Sequence, residues 1–456
     1  MGFKTPMLKR PCDYDDQPFH SKKLWSKSET RIWTATMFIG TCVLYASRIA
    51  LPICAATMSH EYGWNKTDSG IILSCFFWGY AITQLVAGGF ADAYGGEQIL
   101  PHSSFIWICL TIFTPQIFDF AYWTGFPMIV LTIFRIFTGI AQGFHIPSMA
   151  SIVSRHLTTV DKGKVFGFCL AGSHFGTVLA GAVGSVLLDW LGWRALFQVM
   201  GIISLLWYWW FRTLLTRGSE QRATGNDSDD DSTPLKEKEE PVLNLSLIAV
   251  QNAAQAVPWG TLIRHPSWWA AVFAQFTGGY AYFTMFNWLP SYFHENFPTA
   301  KGVVYNVVPS AAIVVTSMIA PFIATRLISS GKSMTATRRI MEGVSLSGCA
   351  LCFFMVPSTS TFTSALFVFT LAMAARGLHH GGVSVNPHDF APHHTGAVFG
   401  IFNAFGAVTG FVGVYVAGHI LEATDNNWGY VFVTTGLQAV IGAIVYGCYG
   451  TGNKII

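Results

Sequence analysis

The sequence predicts an all-α membrane protein with 12 transmembrane helices arranged as two six-helix repeats. Three observations predict it. Only 11% of the 456 residues are charged and 52% are hydrophobic. A soluble chain carries about 25% charged residues, so this one has too few to cover a globule in water. Twelve apolar stretches can be marked, each close to the roughly 20 helical residues that cross a bilayer core about 30 Å thick. The two sets of six share features at matching places.

The first stretch, 31–57, follows a polar tail, 1–30, that holds Lys4, Lys9, Arg10, Lys22, Lys23 and Lys27. It therefore reads as an internal start signal rather than a removable leader. Stretches two to six are 68–91, 99–119, 126–152, 162–187 and 194–214. A hydrophilic segment, 215–265, then interrupts the pattern with Asp227, Asp229, Asp230, Asp231 and the run Lys236 to Glu240. Low hydrophobicity and charge runs mark it as a flexible linker, within which 244–257 reads as a surface amphipathic helix. The second set is 268–292, 303–327, 337–357, 362–385, 395–420 and 429–449. The expected organisation is a tail 1–30, a bundle 31–214, the linker 215–265, a bundle 266–450 and a tail 451–456.

The repeat shows in detail. Gly163-Lys-Val-Phe-Gly-Phe in the first half matches Gly396-Ala-Val-Phe-Gly-Ile in the second. Each follows a helix with an arginine and closely spaced glycines: Arg135, Gly139 and Gly143, then Arg376, Gly381 and Gly382. Asp189 and Glu422 close the matching helices. Two parallel six-helix repeats are one of the transporter plans. Four-residue glycine spacings (Gly139 and Gly143, Gly172 and Gly176) permit close helix approach, a packing role that needs no part in transport.

The basic residues set an orientation. Of 27 Lys and Arg, three lie in odd-numbered loops (Lys66, Arg194, Lys301), three lie deep inside helices, and 21 lie in the termini, the even-numbered loops and the helix ends that adjoin them. Cytosolic loops carry the excess, so both termini are expected in the cytosol.

Several functions are excluded. With 27 basic and 24 acidic residues, bulk charge does not bind nucleic acid. Most of the nine cysteines sit in apolar runs, so no disulfide framework is implied. No catalytic triad, paired-carboxylate set, phosphate-binding loop or His/Cys metal spacing is present, so no enzyme, cofactor or metal site is expected.

Arg48, Arg135 and Arg376 fall deep in stretches 1, 4 and 10. Each costs about 2.5–3.5 kcal/mol at a bilayer centre on the insertion scale. Arg135 lies about 13 Å along its helix, too deep for easy snorkelling. Nearly all acidic residues lie in tails, loops or helix ends, and Glu342, one turn after Arg338-Arg339, is placed at a membrane edge. Buried cations without a protein counter-ion invite an anion, and an arginine fork suits phosphate or carboxylate. The plainer reading is that carbonyls satisfy them. His145, His174, His379, His380 and His419 lie in helices, either as neutral core imidazoles or as proton or anion sites. Among abundant aromatics (Tyr45, Phe76, Phe77, Trp78, Tyr80, Tyr280, Tyr282, Trp288), a few on stretches 1, 2 and 7 could stack on a flat ligand such as a purine, and the sequence does not choose which.

The run Phe76-Phe77-Trp78-Gly79-Tyr80 through Gln84, Gly88, Gly89, Asp92, Gly95 and Gly96 resembles helix 2 and the next loop of the anion transporter family. That family holds sialin and the vesicular glutamate and nucleotide transporters and belongs to the major facilitator superfamily. Arg135 to Pro147 and Thr337-Arg338-Arg339-Ile-Met341 match it too, over about 31–450. Gly88, Asp92 and Gly95 carry the superfamily's loop 2–3 gating signature, while its usual basic positions are Ala93, Gly96 and Glu97. Within the family, Gly40 to Cys54, the short stretch Gly63 to Lys66, and Ser384 to Pro392 resemble the vesicular nucleotide transporters. Gln142 stands where relatives carry a glutamate linked to proton coupling, and Gly278 where glutamate transporters carry an arginine.

The resemblance implies the major facilitator fold, with helices 1, 4, 7 and 10 lining a central cavity. It implies Arg135 as the main anion anchor and Arg48 as a second, while Arg376 matches no family position and enters on the charge argument alone; Tyr45, Tyr80, His145, Tyr280, His379 and His380 complete the candidate site. It further implies potential-driven uptake of nucleotides (ATP, ADP, GTP) into secretory or lysosome-related vesicles, by a monomer with chloride regulation as in the family. The alternative within the family is a proton-coupled symporter of sialate- or glutamate-like acids or of phosphate. A channel or receptor is disfavoured by the two repeated halves.

Overall fold

A computed structural model describes residues 25–157, 159–224, 257–392 and 395–456. The tail 1–24, most of the expected linker and the run 244–256 lie outside the described residues. Among those described, nine helices are long and apolar enough to cross a membrane, or ten when the bent pair Gly96–Ile112 and Thr114–Trp123 counts as one. One of the nine, Val165–Arg217, is two spans. It belongs to the run Thr159–Thr224, broken at Gly192 by φ 79° and ψ 172°. Those 66 residues would stretch about 100 Å as one helix, three bilayer cores. Instead the chain reverses, so that a Cβ on Gly184 would lie 3.0 Å from Leu196. The helix Pro266–Asn296, with 31 residues, completes twelve.

The spans are α1 (Lys27–Tyr62), α2 (Lys66–Ser74 and Phe76–Tyr94), α3 (Gly96–Ile112 and Thr114–Trp123), α4 (Pro127–Gly143 and His145–His156), and α5 and α6, the two arms of Thr159–Thr224. A short helix, Trp259–Arg264, leads into α7 (Pro266–Asn296). Then follow α8 (Gly302–Ser329), α9 (Met334–Met355), α10 (Phe362–Gly377, continued to Asn386–Phe390), α11 (Thr395–Ala423) and α12 (Trp428–Tyr449).

Four expected continuous helices are broken: α2 at Cys75, and three others each with a local cause. In α3 the segments bend by 59° at Phe113, where Pro115 opens the second segment. Proline lacks the N–H and crowds the carbonyl four residues back, so it kinks the helix there. In α4 the break falls at Phe144, just before Pro147. In α10 the helix stops at Gly377 and passes through two 3-10 turns, Leu378–Gly381 and Val383–Val385. Gly382 between them has φ −101° and ψ −121°, outside the helical region.

Packing repeats between the first six spans and the last six. Within the first set α1 packs on α5, α2 on α4 and α3 on α6; within the second α7 packs on α11, α8 on α10 and α9 on α12. Glycines make the closest of these crossings. A Cβ on Gly139 would run into the Phe76 carbonyl oxygen, and one on Gly79 into that of Ile136, so α2 and α4 touch backbone to backbone. In the second set, a Cβ on Gly377 of α10 would collide with Thr316 of α8.

The two sets meet where α1 faces α7, α2 faces α11 and α5 faces α8. At the face opposite the termini, Lys66 pairs with Glu295 and its backbone N–H donates to Glu422 at 3.0 Å. Nearby, Asn306 donates to Ser185 Oγ at 2.9 Å. Nearer the terminal face, Asn403 of α11 donates to Gln84 of α2 at 3.1 Å.

The α2–α4 crossing yields a stability prediction. Gly139→Ala forces two backbones apart, and overpacking of this kind costs about 1–3 kcal/mol. Gly447→Ala, where an added Cβ meets nothing within 4 Å, removes only a helix-weakening glycine. Thermal unfolding of the purified protein should drop by several degrees for the first and hold or rise for the second. Equal behaviour would refute the backbone contact.

Candidate functional site

Arg48 and Arg135 belong to one cluster in the first six spans. Arg48, on α1, is 7% exposed and Arg135, on α4, is 8% exposed. The Arg48 Nε donates to Gln142 Oε1 of α4 at 3.1 Å. Its guanidinium carbon lies 4.4 Å from the ring centre of Tyr45, 4.9 Å from Phe76 and 4.7 Å from Tyr80. Aromatic faces on three sides are a favourable setting for a dry cation, worth about 2 kcal/mol or more when desolvated. The Arg48 Nη2 atom, buried as well, has no hydrogen-bond partner.

Arg135 repeats this arrangement around the same ring. Its Nε donates to the Ile72 carbonyl at 3.2 Å, and its guanidinium carbon lies 5.2 Å from the Phe76 centre. The Ile72 carbonyl is available because α2 is interrupted at Cys75, between Lys66–Ser74 and Phe76–Tyr94. The glycine contact of α2 on α4 sets the distance.

Arg376, 7% exposed, is the corresponding group of the last six spans. Its Nε donates to the Gly278 carbonyl of α7 at 3.0 Å, and its Nη1 is buried without a partner. A Cβ at Gly278 would sit 3.3 Å from the guanidinium, so the glycine gives the arginine room to reach the backbone. Tyr282 of α7 lies within electrostatic reach of Tyr45, Arg48 and Arg376, and so bridges the two arginine groups. Each of the three guanidiniums is thus tethered through Nε to one neutral oxygen, and none is hydrogen-bonded to a carboxylate among the described residues.

Glu342, one turn after Arg338-Arg339, is enclosed by the protein. It is 0% exposed, and both of its oxygens accept from His379 Nδ1, at 2.9 and 3.1 Å. It also interacts electrostatically with Arg376. A charged partner is therefore near Arg376, contrary to the reading of all three arginines as lacking one. Glu342 is buried because the α10 turns fold over it.

The remaining candidates divide. Tyr45 and Tyr80 lie against Arg48. His379 and His380 form a line with His174 of α5, with ring centres 5.8 and 5.6 Å apart. His145 is enclosed between α1 and α6, with Nε2 3.5 Å from Thr41 Oγ1 and its ring 6.0 Å from Trp207. Tyr280 packs beside Gly413 of α11 and is not among the groups brought to the arginines. Of the gating set, Gly95 has φ 90°, a conformation that favours glycine, and Gly88 has open space around it. The side chain of Asp92 lies outside the described residues. Arg155 donates to the Ala91 carbonyl at 3.2 Å, tying α4 to that turn. Phe76, Tyr282 and Glu342 were absent from the expected site set. Phe76 sits four residues before Tyr80 on one helical face, which is the signal that could have found it.

Comparison with known proteins comes from three directions. A sequence model of the Major Facilitator Superfamily matches residues 36–414. The chain is 33% identical over 435 residues to the voltage-gated purine nucleotide uniporter SLC17A9 of Homo sapiens, covering 94% of each chain. It is 26% identical to the sodium-dependent phosphate transport protein 1, chloroplastic, of Arabidopsis thaliana, covering 97% of this chain and 83% of that one. Among solved structures, a bacterial homolog of the human lysosomal transporter Spinster superposes with TM-score 0.72 at 14% identity, covering 93% and 97%. The xylose transporter XylE of E. coli gives 0.66 at 13% identity, covering 92% and 96%.

The Arg48 tether generates a direct test. Gln142→Glu places a carboxylate on the Arg48 Nε and neutralises its charge. Hydrogen bonds to charged groups contribute about 1.5–3 kcal/mol, so affinity for a labelled organic anion should fall about tenfold or more. Unchanged equilibrium binding in this variant would remove Arg48 from the site.

Proposed function

The chain belongs to the major facilitator superfamily and, within it, to the anion transporter family, and from that membership we propose that it carries nucleotides, ATP among them, into a vesicle along the membrane potential. It is a multi-pass membrane protein and an organic anion transporter; the nucleotide is the finer reading. The observation that carries this reading is the set of three buried guanidiniums held only through Nε by neutral oxygens.

Arg48 and Arg135 keep unspent positive charge, and that of Arg376 is only partly offset by Glu342. Arg48 Nη2 and Arg376 Nη1 offer donors from opposite halves, and a polyphosphate carries acceptors enough for both. Tyr45 and Tyr80, with Phe76 between the arginines, supply faces on which a purine can stack. Similarity to the purine nucleotide uniporters named above supports the same choice.

The driving force follows from charge. Moving one net charge through 100 mV yields about 2.3 kcal/mol, so a multiply charged nucleotide is concentrated strongly by a lumen-positive potential. The bias of 21 basic residues toward the termini and even-numbered loops supports a cytosolic placement of both ends, with Lys66, Arg194 and Lys301 in the lumen. Alternating access would come from rocking of two six-span bundles, 31–214 and 266–450, about the arginines. Gly88 and Asp92 would act at the cytosolic edge, beside the Gly95 turn. Function as a monomer, chloride regulation and residence in secretory or lysosome-related vesicles belong to the same reading.

In proteoliposomes, ATP uptake should follow an imposed potential, saturate, and drop at least tenfold in Arg135→Ala, given about 1.5–3 kcal/mol for a charged hydrogen bond. Uptake that responds only to a pH gradient, or that sialate and glutamate suppress more strongly than GTP does, would overturn the nucleotide reading.

A further inference from the structure

Glu342 is the one wholly buried carboxylate among the described residues. Its oxygens accept two hydrogen bonds from His379 Nδ1, at 2.9 and 3.1 Å, and one from the Val383 backbone N–H at 3.1 Å. The interrupted stretch of α10 is shaped to it. A Cβ on Gly382 would lie 2.6 Å from Glu342 Oε2, so only a glycine there lets the turn close over the carboxylate.

From this pair a line of imidazoles runs to the boundary of the two halves. His379 is followed by His380, with ring centres 5.8 Å apart, and His380 meets His174 of α5 edge to face at 5.6 Å. Arg376 stands one turn before His379, with its Nη1 buried and unpartnered. Arg376 and the carboxylate–imidazole pair are therefore neighbours, with Arg376 three residues before His379 and Glu342 reaching them from α9. Nothing in the potential-driven mechanism uses the pair.

We propose that the Glu342–His379 pair is a proton-binding site, reached through His174 and His380, whose occupancy is linked to anion binding at Arg376. The proposal rests on the reading of Arg376 as part of an anion site. A carboxylate only accepts hydrogen bonds, so His379 Nδ1 carries the hydrogen that it donates to Glu342, and Nε2 holds the free lone pair. A proton arriving from water by way of His174 and His380 binds Nε2. His379 becomes an imidazolium ion-paired with Glu342, and the same proton leaves when the site faces the other side.

The linkage follows from the surrounding charges. The groups facing the pair are Arg376 and His380 on α10, Cys349 on α9 and Tyr446 from α12; one step further out, His174 of α5 faces His380 and Tyr282 of α7 faces Arg376. From α8 the Ala320 carbonyl and the Ala324 methyl approach the Gly381 turn, neither of them titratable. Arg338 is already satisfied by Asp389, at 2.8 and 3.2 Å. Arg376 is thus the fixed charge that a proton on His379 must face. An anion on Arg376 cancels that repulsion, so anion and proton favour each other's binding, reciprocally. Each nucleotide then travels with one proton and still carries net negative charge, so the potential drives it as before.

The test uses the full-length protein in lipid nanodiscs. Proton uptake on ATP binding, read calorimetrically in two buffers of different ionisation heat at mildly acid pH, should be about one proton greater in wild type than in Glu342→Gln or His379→Gln, for one titrating site. The titration of ATP itself is common to all three and cancels. Wild-type affinity should rise as pH falls, by up to about tenfold per pH unit, and more steeply than in either variant. Equal proton uptake in wild type and in a folded variant overturns the proposal. If ATP fails to bind wild type at all, the nucleotide reading falls, and the proton site is read without substrate. Histidine-labelled nitrogen spectra should then show one imidazole whose titration is lost in His379→Gln and shifted in Glu342→Gln. Absence of that pair of changes overturns the inference as well.

Discussion

The constraint on which the rest of this structure depends is that a guanidinium inside a membrane must find lone pairs without finding a negative charge. A buried ion pair would satisfy Arg48 or Arg135, but it would also cancel the charge that an anion needs. The chain instead uses single neutral acceptors: the Gln142 amide, the Ile72 carbonyl and the Gly278 carbonyl. Neutral oxygens reduce the desolvation cost and leave the charge in place. The carbonyls are within reach because α2 is interrupted at Cys75 and because Gly278 has no side chain in the way. The glycine-to-backbone contact of α2 on α4 then sets the spacing of Arg135 from Phe76. Close helix packing, which on its own means only stability, here determines the geometry of the site.

The contacts between the halves are of a kind suited to repeated breaking. Lys66 pairs with Glu295 at the face opposite the termini, and both side chains are partly solvent-exposed. Exposed ion pairs contribute about 0–1 kcal/mol, so this latch closes a face without locking it. The Lys66 backbone N–H adds one hydrogen bond to the exposed Glu422 carboxylate, and two further ties across the halves, Asn306 to Ser185 and Asn403 to Gln84, are single neutral hydrogen bonds. Gly70 and Gly418 approach closely in the same region, a packing contact that any rocking motion must separate. By contrast, the contacts within each half include large aromatic clusters, such as Tyr292 among Phe369, Trp428 and Phe432. Stiff halves joined by weak ties are what alternating access requires.

Much of this was legible in the sequence, and what was not has physical reasons. Apolar length and the glycine-marked repeat predicted the spans, and the superfamily match bears out the fold class. Charge scarcity singled out Arg48, Arg135 and Arg376, and all three are buried. The nearness of Glu342 to Arg376 was not legible, because Glu342 lies one turn from Arg338 and Arg339, which reads as a membrane edge. The turns of α10 that fold over it are a tertiary event, with no periodic signature in the sequence. Tyr280 and Tyr282 stand two residues apart on α7, so they point to nearly opposite faces of the helix. Nothing local says which face meets Arg48. The bend at Phe113 was readable from Pro115, since proline inside an apolar run marks a kink.

The placement of the acid matters more than its presence. A glutamate at position 142 would lie against Arg48, where a proton would have to arrive before Arg48 could hold an anion. Gln142 removes that requirement while keeping the tether at 3.1 Å. The buried carboxylate of this chain is instead on α9, bonded to His379 and one turn from Arg376. Its charge is shared with an imidazole, so it weakens the pull of Arg376 on an anion without abolishing it. Two arginines in the first six spans are thus independent of protons, and one in the last six is modulated by them. The two halves then bring different properties to a common anion: permanent charge from α1 and α4, and adjustable charge from α10. A ligand that reaches across both, as a polyphosphate can, experiences both, whereas a small monoanion bound to one side experiences only one.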